Sequence, residues 1–198
     1  MKVSKEQVAE NRQAILDAAA QLFREHGFGG VSVADITRAA GFTHGGFYRH
    51  FASKEALAAE VTALSFERSV EKLRHRLEEA QGDATEHFRQ YLSPRHVEHA
   101  GSGCPMVTLA ADGARETGPV PEALAEGIAR YLQTLAQHRP DGEVVDAPDA
   151  ADKVRAIHCL SALVGGMVLA RATAEGAPAL SDEILQTLRK ELQAVWKA

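Results

Sequence analysis

The sequence predicts an all-α protein, in which a three-helix head containing a helix-turn-helix precedes a larger helical body. Apolar residues recur at steps of three and four positions through most of the 198 residues, which is the spacing of amphipathic helices. Between Ser32 and Phe51, two short helical patterns are joined by a tight turn, as in a helix-turn-helix. These patterns predict a head at residues 1–52 and a body at residues 53–198.

The first helix is predicted at residues 5–26, where apolar positions from Val8 to Phe23 lie on one face and Gly27 ends the pattern. Its basic residues Lys5 and Arg12 could contact phosphates or could simply be solvated. We expect this helix to close the core of the head.

The second and third helices are marked by capping residues. Ser32 and Asp35 have the spacing of a capping box, and Gly41 stands where a left-handed residue would end the second helix. Thr43 can cap a third helix whose buried positions would be Phe47 and Phe51. In a helix-turn-helix, the later of the two helices enters the major groove of DNA.

Gly45 and Gly46 lie inside this third helix, although each glycine costs about 1 kcal/mol relative to alanine in a helix. One interpretation is that they let the helix approach DNA without a side chain in between. The alternative is a loose turn between helices. Arg49 could donate two hydrogen bonds to a guanine edge or contact the backbone instead.

The run Ala40-Gly41-Phe42-Thr43-His44-Gly45-Gly46-Phe47-Tyr48-Arg49-His50-Phe51, followed by Ser53-Lys54-Glu55-Ala56-Leu57, resembles the DNA-binding signature of the TetR family of bacterial repressors. The resemblance implies that Tyr48 and His50 contact phosphates or orient the residues that do, and it makes His44, Gly45 and Arg49 candidates for base reading. The Lys54 amine, together with the amides of the helix that begins after Ser53, suits a phosphate. The full expected DNA-binding set is Ser32, Thr43, His44, Gly45, Gly46, Tyr48, Arg49, His50 and Lys54.

The body should contain six helices. The expected ranges are 53–81, 83–100 with a kink at Pro94, 106–116, 120–138, 149–175 and 181–196, the last one capped by Ser181. Gly165-Gly166 in the fifth of these helices could serve packing within the chain. The resemblance favours a four-helix interface made by the last two helices and those of a second copy.

The resemblance further implies a homodimeric repressor that reads a palindromic operator in double-stranded DNA and is released by a small-molecule effector bound in the body. Two heads would meet major grooves about 34–36 Å apart, or a multiple of that. From the apolar faces of the helices we expect the effector pocket to be lined by Phe66, Phe88, Tyr91, Met106, Leu109, Leu124, Ile128, Tyr131, His158 and Met167.

Cys104 supports a second hypothesis. The string Gly103-Cys104-Pro105-Met106-Val107-Thr108-Leu109-Ala110 resembles a segment of one TetR subgroup in which some members sense electrophiles or oxidants through this cysteine. A thiol at a helix N-terminus should have a lowered pKa. The alternative is a small buried apolar residue.

Composition and motifs weigh against other classes. The chain is 45% hydrophobic and 25% charged. Its net charge is −5, but residues 1–55 taken alone are slightly basic, with a charge of +1. We expect no membrane span, no secretory signal and, with two cysteines, a cytoplasmic protein with reduced thiols. His87, His96 and His99 lack a partner motif for metal, so we expect no metal or cofactor. No catalytic constellation is visible, so we expect no enzyme, and a helical protein-interaction module would have no use for Gly45, Gly46 and Lys54 together.

Overall fold

A computed structural model describes residues 4–197, and within them the chain forms ten α-helices and one 3₁₀ turn. The helices are α1 (Lys5–His26), α2 (Val33–Ala39), α3 (His44–Phe47), α4 (Lys54–Glu79), α5 (Thr85–Tyr91), α6 (Pro94–Glu98), α7 (Pro105–Gly113), α8 (Pro119–Gln137), α9 (Ala150–Thr173) and α10 (Pro178–Lys197), with the 3₁₀ turn at Ala100–Ser102. The predicted all-α class, with a helix-turn-helix head and a helical body, is confirmed.

The head consists of α1, α2 and α3 around a small aromatic core. Phe23 and Phe47 are fully buried there, and the ring of Phe23 lies 5.3 Å from that of Phe28. The Ser32–Asp35 capping box is present at the start of α2, and Gly41 has the positive φ of 78° expected after its end. These local signals are confirmed because they depend only on residues a few positions apart.

The long helix α4 joins the head to the body. It begins beside α3, where the Ser53 side chain accepts the amide of Ala56. On one side α4 packs against α1, where Arg12 pairs with Glu60 at 2.6 Å. On the other side it packs against α8, and a Cβ at Gly127 would lie only 2.2 Å from the Phe66 ring. The two helices can approach this closely because Gly127 has no side chain.

The last two helices pack side by side and are anchored by Trp196 near the end of α10. Its indole is fully buried, donates to the carbonyl of Gly82 at 3.1 Å and meets Phe88 edge-on at 5.6 Å. The Arg155 guanidinium lies 5.3 Å from the centre of the same ring. A single large side chain therefore joins α9 and α10 to the turn after α4.

Two predicted helix boundaries were wrong. The helix expected at 83–100 is split: α5 ends at Tyr91 and α6 begins at Pro94, with Ser93 as its cap, because proline lacks the amide that a continuous helix needs. The last helix starts at Pro178 instead of Ser181. Ser181 is buried inside it and its hydroxyl donates to the carbonyl of Ala170 at 2.8 Å.

Helix α9 is one of the two most apolar helices of the body. Its 24 residues are long enough to cross a membrane, and its most apolar window has a mean hydropathy of 1.4, with 39% of that window buried in the molecule. One face of α9, including Cys159, Leu163 and Met167, is completely buried in the core, and the core helix of a folded domain commonly meets the same criteria.

Candidate nucleic-acid interface and body cavity

The outer face of α3 and the turn after it present polar side chains to solvent. Phe47 and Phe51 hold this segment to the core, and their rings lie 5.6 Å apart. Opposite them Tyr48 is 59% exposed, and His44, which is also exposed, meets it edge-on at 5.7 Å. Thr43 precedes α3 as predicted, but its side chain makes no capping hydrogen bond. Its hydroxyl is therefore not used by the helix terminus.

Neither glycine of α3 is required by packing. A Cβ at Gly45 would meet no atom within 4 Å, and one at Gly46 would make only ordinary contacts, the nearest with the Thr43 hydroxyl at 3.8 Å. Neither has a positive φ. The fold alone would accept alanine at both positions, so their helix-weakening effect has no explanation inside the molecule.

Two members of the predicted DNA-binding set are engaged inside the head. The Ser32 side chain and amide are both hydrogen-bonded to Asp35. The Lys54 ammonium donates to the carbonyls of Phe28 at 2.8 Å and Val31 at 3.1 Å, which ties the start of α4 to the loop after α1. Only the third N–H of this ammonium remains for a phosphate. Of the other members of the set, Arg49 is exposed and His50 is half-buried.

The body contains a cavity of about 410 Å³, within the ~300–1,000 Å³ range of small-molecule sites. It lies between α4, α5, α8 and the segment from Ser93 to Cys104. Its walls are mostly polar, namely Ser69, Lys72, Arg76, His87, Gln90, Tyr91, Ser93, Arg95, His96, His99, Ser102, Gly103, Cys104 and Tyr131.

His87 is held neutral at the back of this cavity. Its Nδ1 lies 3.2 Å from Arg76 Nη1, and its Nε2 lies 2.8 Å from the Tyr131 hydroxyl. Because arginine can only donate, Nδ1 must accept and Nε2 must carry the proton. Burial, with the nearby Arg76 charge, lowers the pKa of His87 from 6.5 to about 3.

His96 is likewise fully engaged, and it supports the wall formed by Cys104. Its Nδ1 donates to the Tyr91 carbonyl at 2.7 Å, while Nε2 accepts the amide of Cys104 at 3.0 Å. Burial lowers the pKa of His96. Both ring nitrogens of His87 and His96 thus have protein partners, and no group of metal-binding side chains occurs among residues 4–197.

The residues predicted to line the effector pocket lie in different places in the structure. Tyr91 and Tyr131 line the cavity, whereas six predicted residues are buried in the core instead: Phe66, Phe88, Met106, Leu109, Leu124 and Met167. Ile128 packs against that core. His158 is exposed on the outer face of α9, because the opposite face of this helix, with Cys159 and Leu163, is the one that packs into the core.

Sequence reasoning missed the polar wall contributed by α4. Ser69, Lys72 and Arg76 line the cavity and follow one another at steps of three and four, so they share one helix face. That periodicity was visible in the sequence. Apolar helix faces, from which the pocket was predicted, do not reveal such a polar stripe.

The predicted activation of Cys104 was wrong in direction. Cys104 precedes α7 as expected, but it is buried, and burial raises the pKa of its thiol above 9.0. The loss of hydration outweighs the stabilisation of a thiolate by Tyr91 and the nearby amides. Cys159 is also a free, buried thiol, and burial raises its pKa to about 11.

The chain thus combines a helix-turn-helix head, a long connecting helix and a helical body that contains a cavity, and the helix-turn-helix is a DNA-binding element. Residues 15–61 match the family model described as bacterial regulatory proteins of the tetR family. The chain is 29% identical over 122 residues to the transcriptional repressor DhaR of Mycobacterium sp. (strain GP1), which is 62% of this chain and 60% of DhaR. It is 42% identical over 62 residues to the regulator AcrR of Shigella flexneri, 31% of this chain and 29% of AcrR. In both cases the match spans less than two thirds of the relative.

The fold extends beyond these matches. The solved structure of reduced NemR from E. coli is similar with a TM-score of 0.74 at 20% identity, covering 93% of this chain and 96% of that one. Residues 15–61 of the chain are therefore similar to the N-terminal domain of the TetR family of bacterial regulatory proteins, and the structural similarity extends the likeness in fold to the helical body.

Proposed function

We propose that the protein is a transcriptional repressor that binds a palindromic operator in double-stranded DNA as a homodimer and releases it when a small molecule occupies the body cavity. It would act in the cytoplasm and without catalysis. The observation that carries the proposal is the exposed face of α3. Gly45 and Gly46 weaken this helix, although the fold leaves room for a side chain at both positions. A surface without side chains lets a DNA backbone come close.

The expected DNA contacts come from the residues around this face. His44, Tyr48 and Arg49 are exposed on it, and the hydroxyl of Thr43 is free of the helix terminus. Donors of this kind bind phosphate oxygens or base edges. Ser32 and Lys54 contribute mainly by fixing α2 and α4 around α3, since most of their hydrogen-bonding groups are used there.

Dimerisation would use the outer face of α9. Val154, Ile157 and Leu169 are each more than half exposed on it, and a Cβ at Gly165 would meet nothing within 4 Å. An exposed apolar face of this kind marks an interaction site, and the missing side chain at Gly165 permits close approach of a second helix. By contrast, Gly166 faces inward: a Cβ at this position would lie 2.1 Å from Leu188 Cδ1.

The cavity is connected to the head by two elements. Helix α4 carries Lys72 and Arg76 in the cavity wall and begins directly after the α3 segment. The 3₁₀ turn carries Ser102 in the wall, and Arg24 of α1 donates to the Gly101 carbonyl in the same turn. A ligand that prefers one arrangement of these walls would shift the positions of the heads by its differential affinity.

The test is binding of the purified, reduced protein to the DNA flanking its own gene, measured by fluorescence anisotropy at two salt concentrations. We expect tight, salt-dependent binding that only a palindrome competes away. Gly45→Leu should weaken it at least tenfold, because the leucine would enter the contact surface. The matched variant Gly176→Leu, in an exposed position with open space, should bind as the parent does. Absence of specific binding in the parent protein would refute the proposal.

The alternative of a redox or electrophile sensor acting through Cys104 has weaker support, since the buried thiol with its raised pKa contains little of the reactive thiolate. Cys104→Ser distinguishes the two mechanisms. If oxidant releases DNA from the parent protein but not from this variant, the alternative is correct.

A further inference from the structure

The cavity in the body is cationic. Three of its fourteen lining residues are Lys72, Arg76 and Arg95, and the lining contains no Asp or Glu among the described residues. The carboxylate of Glu86 interacts electrostatically with Arg76. It is already paired with Arg89 at 2.7 Å, however, and does not line the cavity. The positive charge around this space is therefore not balanced by the cavity's own walls.

A further cation, Arg171, lies behind the wall. Arg171 of α9 donates from Nη2 to the His96 carbonyl at 2.6 Å, while its Nε and Nη1 are buried without a partner among residues 4–197. The guanidinium adjoins Tyr91 and Cys104, and burial lowers its pKa. A buried charge without a counter-ion is expensive, and an anion on the cavity side of Tyr91 would relieve part of that cost.

Two phenol groups offer hydroxyl protons to the same space. Since His87 Nε2 donates to the Tyr131 oxygen, the hydroxyl proton of Tyr131 is not consumed by that bond and is free for another acceptor. The hydroxyl of Tyr91 is buried, and the acceptor beside it among the described residues is the thiol of Cys104, which accepts only weakly. A buried hydroxyl without a strong acceptor is costly, which calls for one in the cavity.

We propose that the body cavity binds a small organic anion, a carboxylate or a phosphate ester, whose oxygens accept from Tyr91 and Tyr131 and lie among Lys72, Arg76 and Arg95. The role of this anion as the effector rests on the function proposed above, whereas its binding does not. The sequence suggested apolar walls instead, because the polar stripe of α4 and the segment from Ser93 to Cys104 come together only in the folded chain.

The experiment is isothermal titration calorimetry of the full chain without DNA, using three probes of similar size: benzoate, phenyl phosphate and the uncharged benzyl alcohol. We expect at least one of the two anions to bind saturably, and at least tenfold more tightly than benzyl alcohol. The stronger of the two anions identifies the headgroup. The absence of saturable binding by both anions, or equal binding of benzyl alcohol, would overturn the proposal.

The variants locate the site. Arg76→Gln and Lys72→Gln should each weaken anion binding about 10- to 100-fold, as expected for loss of a hydrogen bond to a charged group. The matched control is Arg74→Gln on the same helix, because Arg74 is exposed and paired with Glu71 at 2.6 Å. Equal losses in Arg74→Gln and Arg76→Gln would indicate a non-specific charge effect and refute the site.

Tyr91→Phe provides an independent readout. Removing a buried hydroxyl whose neighbouring acceptor is only a thiol should leave the melting temperature of the free protein unchanged or raise it, while anion binding falls at least fivefold. Unchanged anion binding in this variant would contradict the proposed acceptor position. The anion that binds is then added to the protein–DNA complex: binding without DNA release would leave the anion site intact and refute only its effector role.

Discussion

The environment of a single residue, His87, determines the hydrogen bonding at the back of the cavity. Arg76 can only donate, so it fixes the tautomer of His87, and His87 in turn fixes the direction of its bond to Tyr131. This arrangement of hydrogen bonds persists at physiological pH because burial lowers the pKa of His87 to about 3, so that the imidazole stays neutral. A protonated His87 would lose the bond from Arg76 and face its positive charge.

We predict that this histidine makes the protein sensitive to mild acid. In the folded protein the pKa is about 3, whereas in the unfolded chain it is near the ordinary value of about 6.5. Between these values the unfolded state binds more protons, so stability falls as the pH falls below about 6.5, by up to about 1.4 kcal/mol per pH unit. The measurement is urea unfolding at pH 7.5, 6.0 and 5.0.

The control for this prediction is His87→Gln, which keeps a neutral polar side chain but cannot titrate. This variant should lose less stability between pH 7.5 and 5.0 than the parent protein. His75→Gln, at an exposed position of α4 beside Glu79, should retain the parent's pH dependence. A parent protein equally stable at pH 7.5 and 5.0 would contradict the assigned role of His87.

At the scale of elements, α9 and α10 pack closely where Gly166 faces the side chain of Leu188. We predict that Gly166→Ala lowers the free energy of unfolding by about 1–3 kcal/mol, as overpacking does, because the added Cβ would lie 2.1 Å from Leu188 Cδ1. The same change at Gly45 in α3 meets open space and should raise stability by up to about 1 kcal/mol. Denaturant unfolding of both variants checks the prediction, and equal effects would contradict it.

The contact between α1 and the 3₁₀ turn depends on Arg24. Its guanidinium donates to the Gly101 carbonyl and, at 3.1 Å, to the Ser65 hydroxyl. We predict that Arg24→Gln costs about 1–3 kcal/mol, since glutamine cannot keep both bonds to half-buried acceptors. The control Arg38→Gln removes an exposed pair with Asp35 and should cost less than about 1 kcal/mol. Thermal unfolding compares the two, and a similar loss in both variants would argue against a specific role for Arg24.

At the scale of the whole molecule, the proposed function depends on how two copies are arranged. We predict that Ile157→Glu converts the dimer to a monomer, because a carboxylate on the apolar face of α9 would be buried without a partner. Ile157 is 53% exposed in the single chain, so the fold of each copy should survive. Sedimentation gives the mass, and operator affinity should fall at least tenfold because one head reads only half of a palindrome.

The matched control is Val144→Glu, an equally exposed apolar residue in the loop between α8 and α9. It should leave both the mass and the DNA affinity unchanged. If Ile157→Glu stays dimeric, the interface lies elsewhere.

The sequence alone determined the class of fold, the helix-turn-helix and most helix positions. The Ser32–Asp35 box, the positive φ at Gly41 and the cap at Ser53 all depend on residues within a few positions of one another, so local patterns are sufficient to predict them. The two wrong boundaries have different causes. At Pro94 the local signal of a Ser93 cap followed by proline begins a new helix where only a kink was expected, whereas the Ser181 hydroxyl is used by a tertiary bond to the Ala170 carbonyl instead of a cap.

Only the tertiary structure decided the chemistry of the cavity. Hydrophobic periodicity identifies which residues are buried but not whether they line a space, so Phe66 and Met167 were expected in the pocket and lie in the core. It also cannot show that Arg76, Arg95 and Tyr131, from three distant parts of the chain, surround one cavity. The pKa of Cys104 likewise depends on tertiary structure. Its position at the start of a helix can be predicted from sequence, but its burial, which raises the pKa most, arises from long-range packing.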